Sequence, residues 1–481
     1  MQVVSFCCNW CSYAGADLAG STRLEYPAEV KIIRVPCSCR VDPLFILRAF
    51  ERGADGVIVN GCHPGDCHYS TGNYYTRRRM TLLFNMLDFL GIERERVRLD
   101  WVSAAEGVKF ATVMNDFVKQ LYSVGELSIK LGRTLEIGKS AGRASPTPTA
   151  EIPVVGDRLA CPENLHIVFP QIAHEMLESG EIDTVLGWQK GELPYETAPA
   201  FFSTPDELQN FTHDSFCGAN LSKYLVENSD KKVLVFLKPC DTYSLNQLLA
   251  ENRVKRENIH AIGIGCSGML DIKKIRNAGI SGILDIKDDG DTLDITTMYG
   301  NSTLPRQNAL LEKCLNCKGK AHMIFDAIIG TSNDTTSSDK FAPVTELEGQ
   351  KNRNDFWRSH LSNCIRCNAC RNVCPACTCK KCVFDNPHSG VAAKVNTTEF
   401  EENHFHIIRA YHVAGRCTDC GECSRVCPEN VPLHLLNRKF IKDINELYGE
   451  YQAGETAELS SPLLKFDQAD PEPNQEGGSN V

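Results

Sequence analysis

CIRCNACRNVCP at 364–375 and CTDCGECSRVCP at 417–428 decide how this chain is read. Each is a C-x2-C-x2-C-x3-C-P run. Two-residue gaps let successive thiolates curl round one inorganic cube, and the closing proline keeps the chain from continuing as helix. In a matched pair of such runs, three cysteines hold one [4Fe–4S] cluster and the fourth crosses to the other. Cys364, Cys367, Cys370 and Cys427 therefore form one expected set; Cys417, Cys420, Cys423 and Cys374 form the second. Zinc ribbons use pairs of C-x-x-C rather than proline-ended quartets, and disulfide frameworks belong mostly to short secreted chains.

The chain has 481 residues, enough for about three domains, and its 24 cysteines fall in sets. The opening MQVVSFCCNW has neither a basic stretch nor a long apolar core, so no signal peptide is expected there. No apolar run approaches the roughly 18 residues of a membrane span. A formal charge of −10 disfavours a general nucleic-acid role. The expected setting is a reducing cytoplasm with cysteines as metal ligands.

Upstream, apolar runs at 3–7, 31–35, 56–59 and 97–101 alternate with helical patterns near 42–53, 73–91 and 104–123. Asp42-Pro43 and Ser103 stand where N-caps or first turns are expected. The alternation predicts an α/β domain over 1–140 with a flavodoxin-like parallel sheet. Cys7, Cys8 and Cys11 follow the first strand, Cys37 and Cys39 the second, Cys62 and Cys67 the third. Strand carboxyl ends of a parallel sheet open on one crevice, so these thiols should meet at one rim. Single buried structural cysteines are common, but three cysteine-bearing strand ends point to a metal.

FCCNWCSYAGADLAG (6–20), RVPCSCRVDP (34–43), GADGVIVNGCHPGDCHYSTGNY (53–74) and RVRLDWVSAAEG (96–107) resemble the small iron–sulfur (delta) subunit of F420-non-reducing hydrogenase. The resemblance implies a [2Fe–2S] cluster and docking onto the flavin subunit of heterodisulfide reductase. Cys8, Cys37, Cys62 and Cys67 are the favoured ligands, Cys11 is the leading substitute, and Cys39 is extra to that family's pattern. His63 and His68 read as supporting or packed side chains. The arginines at 77–79 read as a solvated helix face, with a docking patch for an acidic partner as the alternative.

Residues 141–160 are rich in Pro, Ser and Gly and read as a linker. A second α/β domain is expected over 161–330. VLVFLKPCD (233–241) ends at Cys240, IHAIGIGCSG (259–268) carries Cys266, and LEKCLNCKGKAHMIFDAIIG (311–330) carries Cys314 and Cys317. Together they supply four thiols for a third [4Fe–4S] cluster. This region resembles the beta subunit of F420-reducing hydrogenase and F420-linked formate dehydrogenase, which implies a cluster with FAD. THDSFCGANLSKYL (212–225) replaces the glycine-rich stretch expected near FAD. Gly263, Gly265 and Gly268 match G-x-G-x-x-G, with Asp285 placed for a ribose. Cys266 in the middle of that match favours a cluster over a dinucleotide.

TSNDTTSSDK (331–340) opens an expected linker over 331–354. A helical, ferredoxin-like 2[4Fe–4S] domain follows over 355–450, and 451–481 reads as a disordered tail. CPACTCKKC (374–382) adds Cys377, Cys379 and Cys382, three thiols for a fourth cube completed by Cys217 or Cys161, or else packed structurally. No nucleophile–base pair or P-loop stands out. The expected function is that of a multi-cluster electron-transfer protein. The two resemblances imply that it links a catalytic dehydrogenase or hydrogenase subunit to a heterodisulfide-reductase-like flavin subunit, in an electron-bifurcating route. The rivals are a flavin-dependent oxidoreductase using F420 or NAD(P)H in the middle domain, and a cluster sensor.

Overall fold

A computed structural model of the chain describes residues 1–125, 165–317, 321–330, 339–386 and 399–473. The linker expected at 141–160 lies outside them. Strands β1 (Val3–Cys8), β2 (Val30–Val35), β3 (Gly56–Gly61) and β4 (Val97–Trp101) form a fully parallel sheet in the order β2-β1-β3-β4. Helices α1 (Ser12–Ser21) and α4 (Gly107–Val124) cover one face; α2 (Pro43–Glu51) and α3 (Gly72–Phe89) cover the other. Side chains alternate between the faces, as a two-residue period requires: Val57 and Val59 face α2 and α3, and Ile58 faces α4. Asp42 caps α2 by accepting from Leu44 N at 2.8 Å, with Pro43 in the first turn. Ser103 does not cap α4. Its N–H donates to Glu106 Oε2, and Glu106 holds the cap position.

After α5 (Leu165–Glu178), a second sheet takes the order β13-β9-β8-β5-β6. Its strands are β5 (Thr184–Lys190), β6 (Thr197–Phe202), β7 (Phe211–Thr212, paired with β5), β8 (Val233–Leu237), β9 (Ile259–Ile264) and β13 (Ala327–Ile329). Strands β5, β8, β9 and β13 run parallel, and β6 and β7 antiparallel. VLVFL of β8 is buried throughout, the continuous apolar run of a strand covered on both faces. Helices α6 (Pro239–Ala250), α7 (Ile272–Asn277) and α8 (Glu312–Leu315) lie along this unit. A separate antiparallel sheet, β10 (Ile283–Asp288), β11 (Thr292–Thr297) and β12 (Gly300–Pro305), was not foreseen from the sequence.

The remainder is helical: α9 (Ala342–Gly349), α10 (Arg353–Leu361), α11 (Ala369–Asn372), α12 (Glu399–His412), α13 (Glu422–Arg425) and α14 (Leu433–Tyr448). Leu433, Leu436, Phe440 and Ile444 form the apolar stripe of α14. With Phe405 and Ile408 they share one core with Ile46, Phe50, Leu83 and Leu87 of the first sheet unit. The expected linker over 331–354 is corrected in part: α9 lies within it, and Val344 and Leu347 are buried in that shared core. The expected disordered tail is corrected over residues 451–473, while 474–481 lie outside the described residues. Residues 461–473 cross α3, bury Arg77 and Arg78, and stack Phe466 on Tyr74 at 4.7 Å. Those two arginines therefore do not form a solvated face. No helix among the described residues is long and apolar enough to cross a membrane.

Candidate metal centres

Strand alternation separates the adjacent pair Cys7 and Cys8. Cys7 points under α1 and α4, 3.2 Å from Ser5 Oγ, where burial pushes its thiol up to about 11. Cys8 points to the rim. Its Sγ lies 3.6 Å from Cys62 Sγ, and Cys37 Sγ lies 3.8 Å from Cys67 Sγ. Hydrogen bonds from Cys37 and then Cys62 hold the Cys8 thiol well below the usual range. The four favoured cysteines thus form one knot. Cys11 acts on Cys62 and Cys39 on Cys37, so the substitute Cys11 and the extra Cys39 both stand next to it.

Gly72 opens α3 against this knot. A Cβ there would stand 2.6 Å from Cys37 Sγ and 3.1 Å from Cys67 Sγ, so the close approach requires glycine. Asn73 Nδ2 donates to Cys62 O at 3.2 Å and to His63 O, tying down the third cysteine loop. His63 Nε2 is 2.7 Å from Glu106 Oε2, and His68 stacks on Trp10 at 3.7 Å. An all-sulfur donor set in a tight cradle fits an iron–sulfur cluster.

In the middle unit, Leu237 of β8 pairs with Gly263 of β9, so the carboxyl ends of the two strands deliver Cys240 and Cys266 side by side. Cys314 lies in α8 and Cys317 just beyond it. Cys266 is influenced by Cys314 and Cys317, and Cys240 by Cys266, so the four share one neighbourhood. Burial pushes Cys266 up to about 11 and raises Cys240 and Cys314. Gly268 N donates to Cys266 Sγ and Met269 N to Cys314 Sγ, both at 3.4 Å. Amides aimed at sulfur stabilise thiolates, which fits a bound cluster.

The dinucleotide alternative is not assembled. Gly263 sits inside β9, where a Cβ would meet the His322 ring at 2.9 Å. The next helix, α7, starts only at Ile272 and is capped by Asp271, while Asp285 is exposed on β10. The 212–225 stretch does not fit a flavin pyrophosphate either. His213 is buried beside Phe169 and Trp188, Cys217 is wholly buried against Asp214, and Ala219 O accepts from Lys238 Nζ at 2.8 Å.

The two proline-ended quartets repeat one backbone. Arg366 and Asn368 have φ of 55° and 61°, and Asp419 and Gly421 have 52° and 67°. Paired left-handed residues curl each loop so that its thiols turn inward. Among the fourth thiols, Cys427 acts on Cys370 alongside Cys367, and Cys374 is influenced by Cys377 and then by Cys423. One cavity is lined by Cys374, Cys417, Cys420 and Cys423. The sequence reading missed Arg409 of α12. It is buried among Cys370, Cys374, Cys417 and Cys423, and its Nε and Nη2 have no hydrogen-bond partner among the described residues. An orphaned buried guanidinium amid thiols fits anionic clusters. Also missed were Glu402 and His406, whose ligand atoms lie within 4.8 Å of Cys364 Sγ.

Cys377 is influenced by Cys382 and Cys379, so these three thiols also gather. Cys217 does not complete them, since it is enclosed in the middle core. Cys161 lies outside the described residues.

Residues 3–125 match the family "Methyl-viologen-reducing hydrogenase, delta subunit", and residues 360–431 match a 4Fe-4S dicluster domain. The vhc iron-sulfur subunit of F420-non-reducing hydrogenase from Methanococcus voltae is 55% identical over 129 residues, 27% of this chain and 90% of that protein. The iron-sulfur subunit of F420-non-reducing hydrogenase from Archaeoglobus profundus is 57% identical over 124 residues, 26% of this chain and 90% of that one. One subunit of the ferredoxin/F(420)H(2)-dependent CoB-CoM heterodisulfide reductase from Methanosarcina acetivorans is 46% identical over 125 residues, 26% of this chain and 16% of that protein. Through residues 3–125 the chain belongs to the methyl-viologen-reducing hydrogenase delta-subunit family, here joined to a 4Fe-4S dicluster domain at 360–431.

Proposed function

We propose that this chain is a multi-cluster iron–sulfur electron-transfer subunit. It links a catalytic hydrogenase or dehydrogenase subunit to a heterodisulfide-reductase-like flavin subunit. The observation that carries the reading is the gathering of thiols from distant stretches into separate knots, two of them on a core shared with the first sheet. Cys8, Cys37, Cys62 and Cys67 are assigned to a [2Fe–2S] cluster, with Cys11 and Cys39 beside them. Cys240, Cys266, Cys314 and Cys317 are assigned to a [4Fe–4S] cluster. Cys364, Cys367, Cys370 and Cys427, and Cys374, Cys417, Cys420 and Cys423, are assigned to the ferredoxin-type pair. Cys377, Cys379 and Cys382 are assigned as three ligands of a fourth cube.

Bound clusters pass single electrons at potentials set by burial, charge and hydrogen bonds to sulfur. The chain's part is to hold thiolates, exclude water and aim amides and cations at them. The partners are proposed because the first domain's relatives include both a small hydrogenase subunit matched over most of its length and a segment within a heterodisulfide reductase subunit. A bifurcating route rests on the same pairing. A reducing cytoplasm suits a chain whose described cysteines are all free thiols.

Anaerobic purification with iron and sulfide counts, flavin analysis and EPR tests the reading. It expects about 14 irons per chain, or about 18 with the fourth cube. A zinc-loaded protein with little iron would overturn it.

A further inference from the structure

Two of the thiol sets share a wall. Lys313, beside Cys314, is buried, and its ammonium donates to Glu422 and, at 2.8 Å, to Gly218 O. Glu422 is wholly buried between Cys420 and Cys423. The approach depends on Gly421, where φ is +67° and a Cβ would meet Lys313 Cβ at 2.4 Å. Arg438 makes a second bridge. It donates to Asp419 Oδ1 at 2.8 Å and to Asn316 O at 2.7 Å, and its side chain is 1% exposed. Asp419 lies between Cys417 and Cys420, and Asn316 between Cys314 and Cys317. Ser244 of α6 and Thr418 make a third bridge at 2.9 Å.

Each bridge lands within a few residues of a cysteine on both sides. Apolar packing would hold two such surfaces together without the desolvation that a buried ion pair costs. What an ion pair adds is charge at a defined place. The Lys313 ammonium acts on Cys240 and Cys314 on one side and on Cys420 on the other. A fixed cation favours the extra electron on either side of it.

We infer that Lys313 is a positioning residue shared by the middle thiol set and the set of Cys374, Cys417, Cys420 and Cys423. It joins the two into one adjacent relay step and sets the potential of both. The inference rests on the proposed occupancy of both sets by clusters.

An EPR-monitored redox titration of the full chain, purified anaerobically, tests it. Lys313→Met should shift both cluster signals to more negative potential. Glu422→Gln, which leaves Lys313 and the second partner of that carboxylate, Arg425, uncompensated, should shift both to more positive potential. Lys313→Arg should return both close to the native values, and the N-terminal two-iron signal should stay in place throughout. A shift confined to one signal, or no shift, at native iron content overturns the inference while leaving the cluster assignment intact. If Lys313→Met fails to take up iron, Glu422→Gln and Lys313→Arg decide by the same criterion. A native chain lacking the four irons of the middle set overturns the assignment itself and the inference with it.

Discussion

Asp470 closes a two-pronged ion pair on Arg78, with Nε to Oδ2 at 2.5 Å and Nη2 to Oδ1 at 2.8 Å. The pair ties the end of the described chain to a helix that also shapes the first thiol knot. Both side chains are less than a tenth exposed, and the guanidinium lies 4.3 Å over the Tyr448 ring. Nearby, Glu472 accepts from Trp101 Nε1 at 2.8 Å and from Arg77 Nη1 at 3.1 Å. The segment 461–473 therefore works as a clamp on α3.

Removing one partner of a desolvated bidentate pair leaves the other charge buried, at a cost of about 3–5 kcal/mol. Asp470→Ala should lose much of that, while Arg78→Met with Asp470→Leu together should lose far less. Amide hydrogen exchange of α3 reports the difference. Native protection of α3 in Asp470→Ala would show that the clamp is ornamental.

Cys7 and Cys8 are neighbours in sequence and occupy opposite faces of β1. Cys8→Ser should abolish the N-terminal cluster signal and remove about two irons per chain, leaving the ferredoxin-type signals. Cys7→Ser should keep the signal, because its thiol belongs to the core under α4. Iron counts and EPR on the two variants check this. Loss of the same signal in both would refute the face assignment.

Gly72→Ala places a methyl group 2.6 Å from Cys37 Sγ. It should displace the thiols of the first knot and cut its iron occupancy several-fold, with the other clusters unchanged. Full occupancy in that variant would mean that α3 can retreat from the knot.

Burial, followed by the nearby Lys238 charge, holds His213 down at about 3, against an ordinary value of 6.5. The folded chain therefore keeps this imidazole neutral while the unfolded chain takes up a proton below about pH 6.5. The contribution is complete above that pH and is lost on acidification, by up to about 1.4 kcal/mol per unit. Exchange protection of the β5 and β8 amides should fall between pH 7 and 5. His213→Phe, packed against Phe169 and Trp188, should flatten the fall. An unchanged slope in that variant would point to another group.

The metal-binding character was legible in the sequence because a thiolate set on one loop is local chemistry. The gaps in 364–374 and 417–427 are set by how far backbone can curl round a cube, and the paired left-handed residues of both loops carry out that curl. The parallel sheet was legible for a similar reason, since its strands and helices have short periods. Topology brought the cysteine-bearing strand ends to one rim, while the alternation of β1 decided that Cys8 and not Cys7 faces it.

Contacts between remote segments decided the rest. Nothing near Arg77 and Arg78 announces that residues 467–472 will bury them. Nor does α9, set in a polar stretch, reveal that Val344 meets a core shared by two distant units. Arg409 looked like an ordinary helix cation until folding enclosed it among four thiols. Local pattern specifies what a segment can form and which atoms it can bind. Burial and partnership depend on which far segment arrives, and that is settled only when the whole chain competes for its apolar surface.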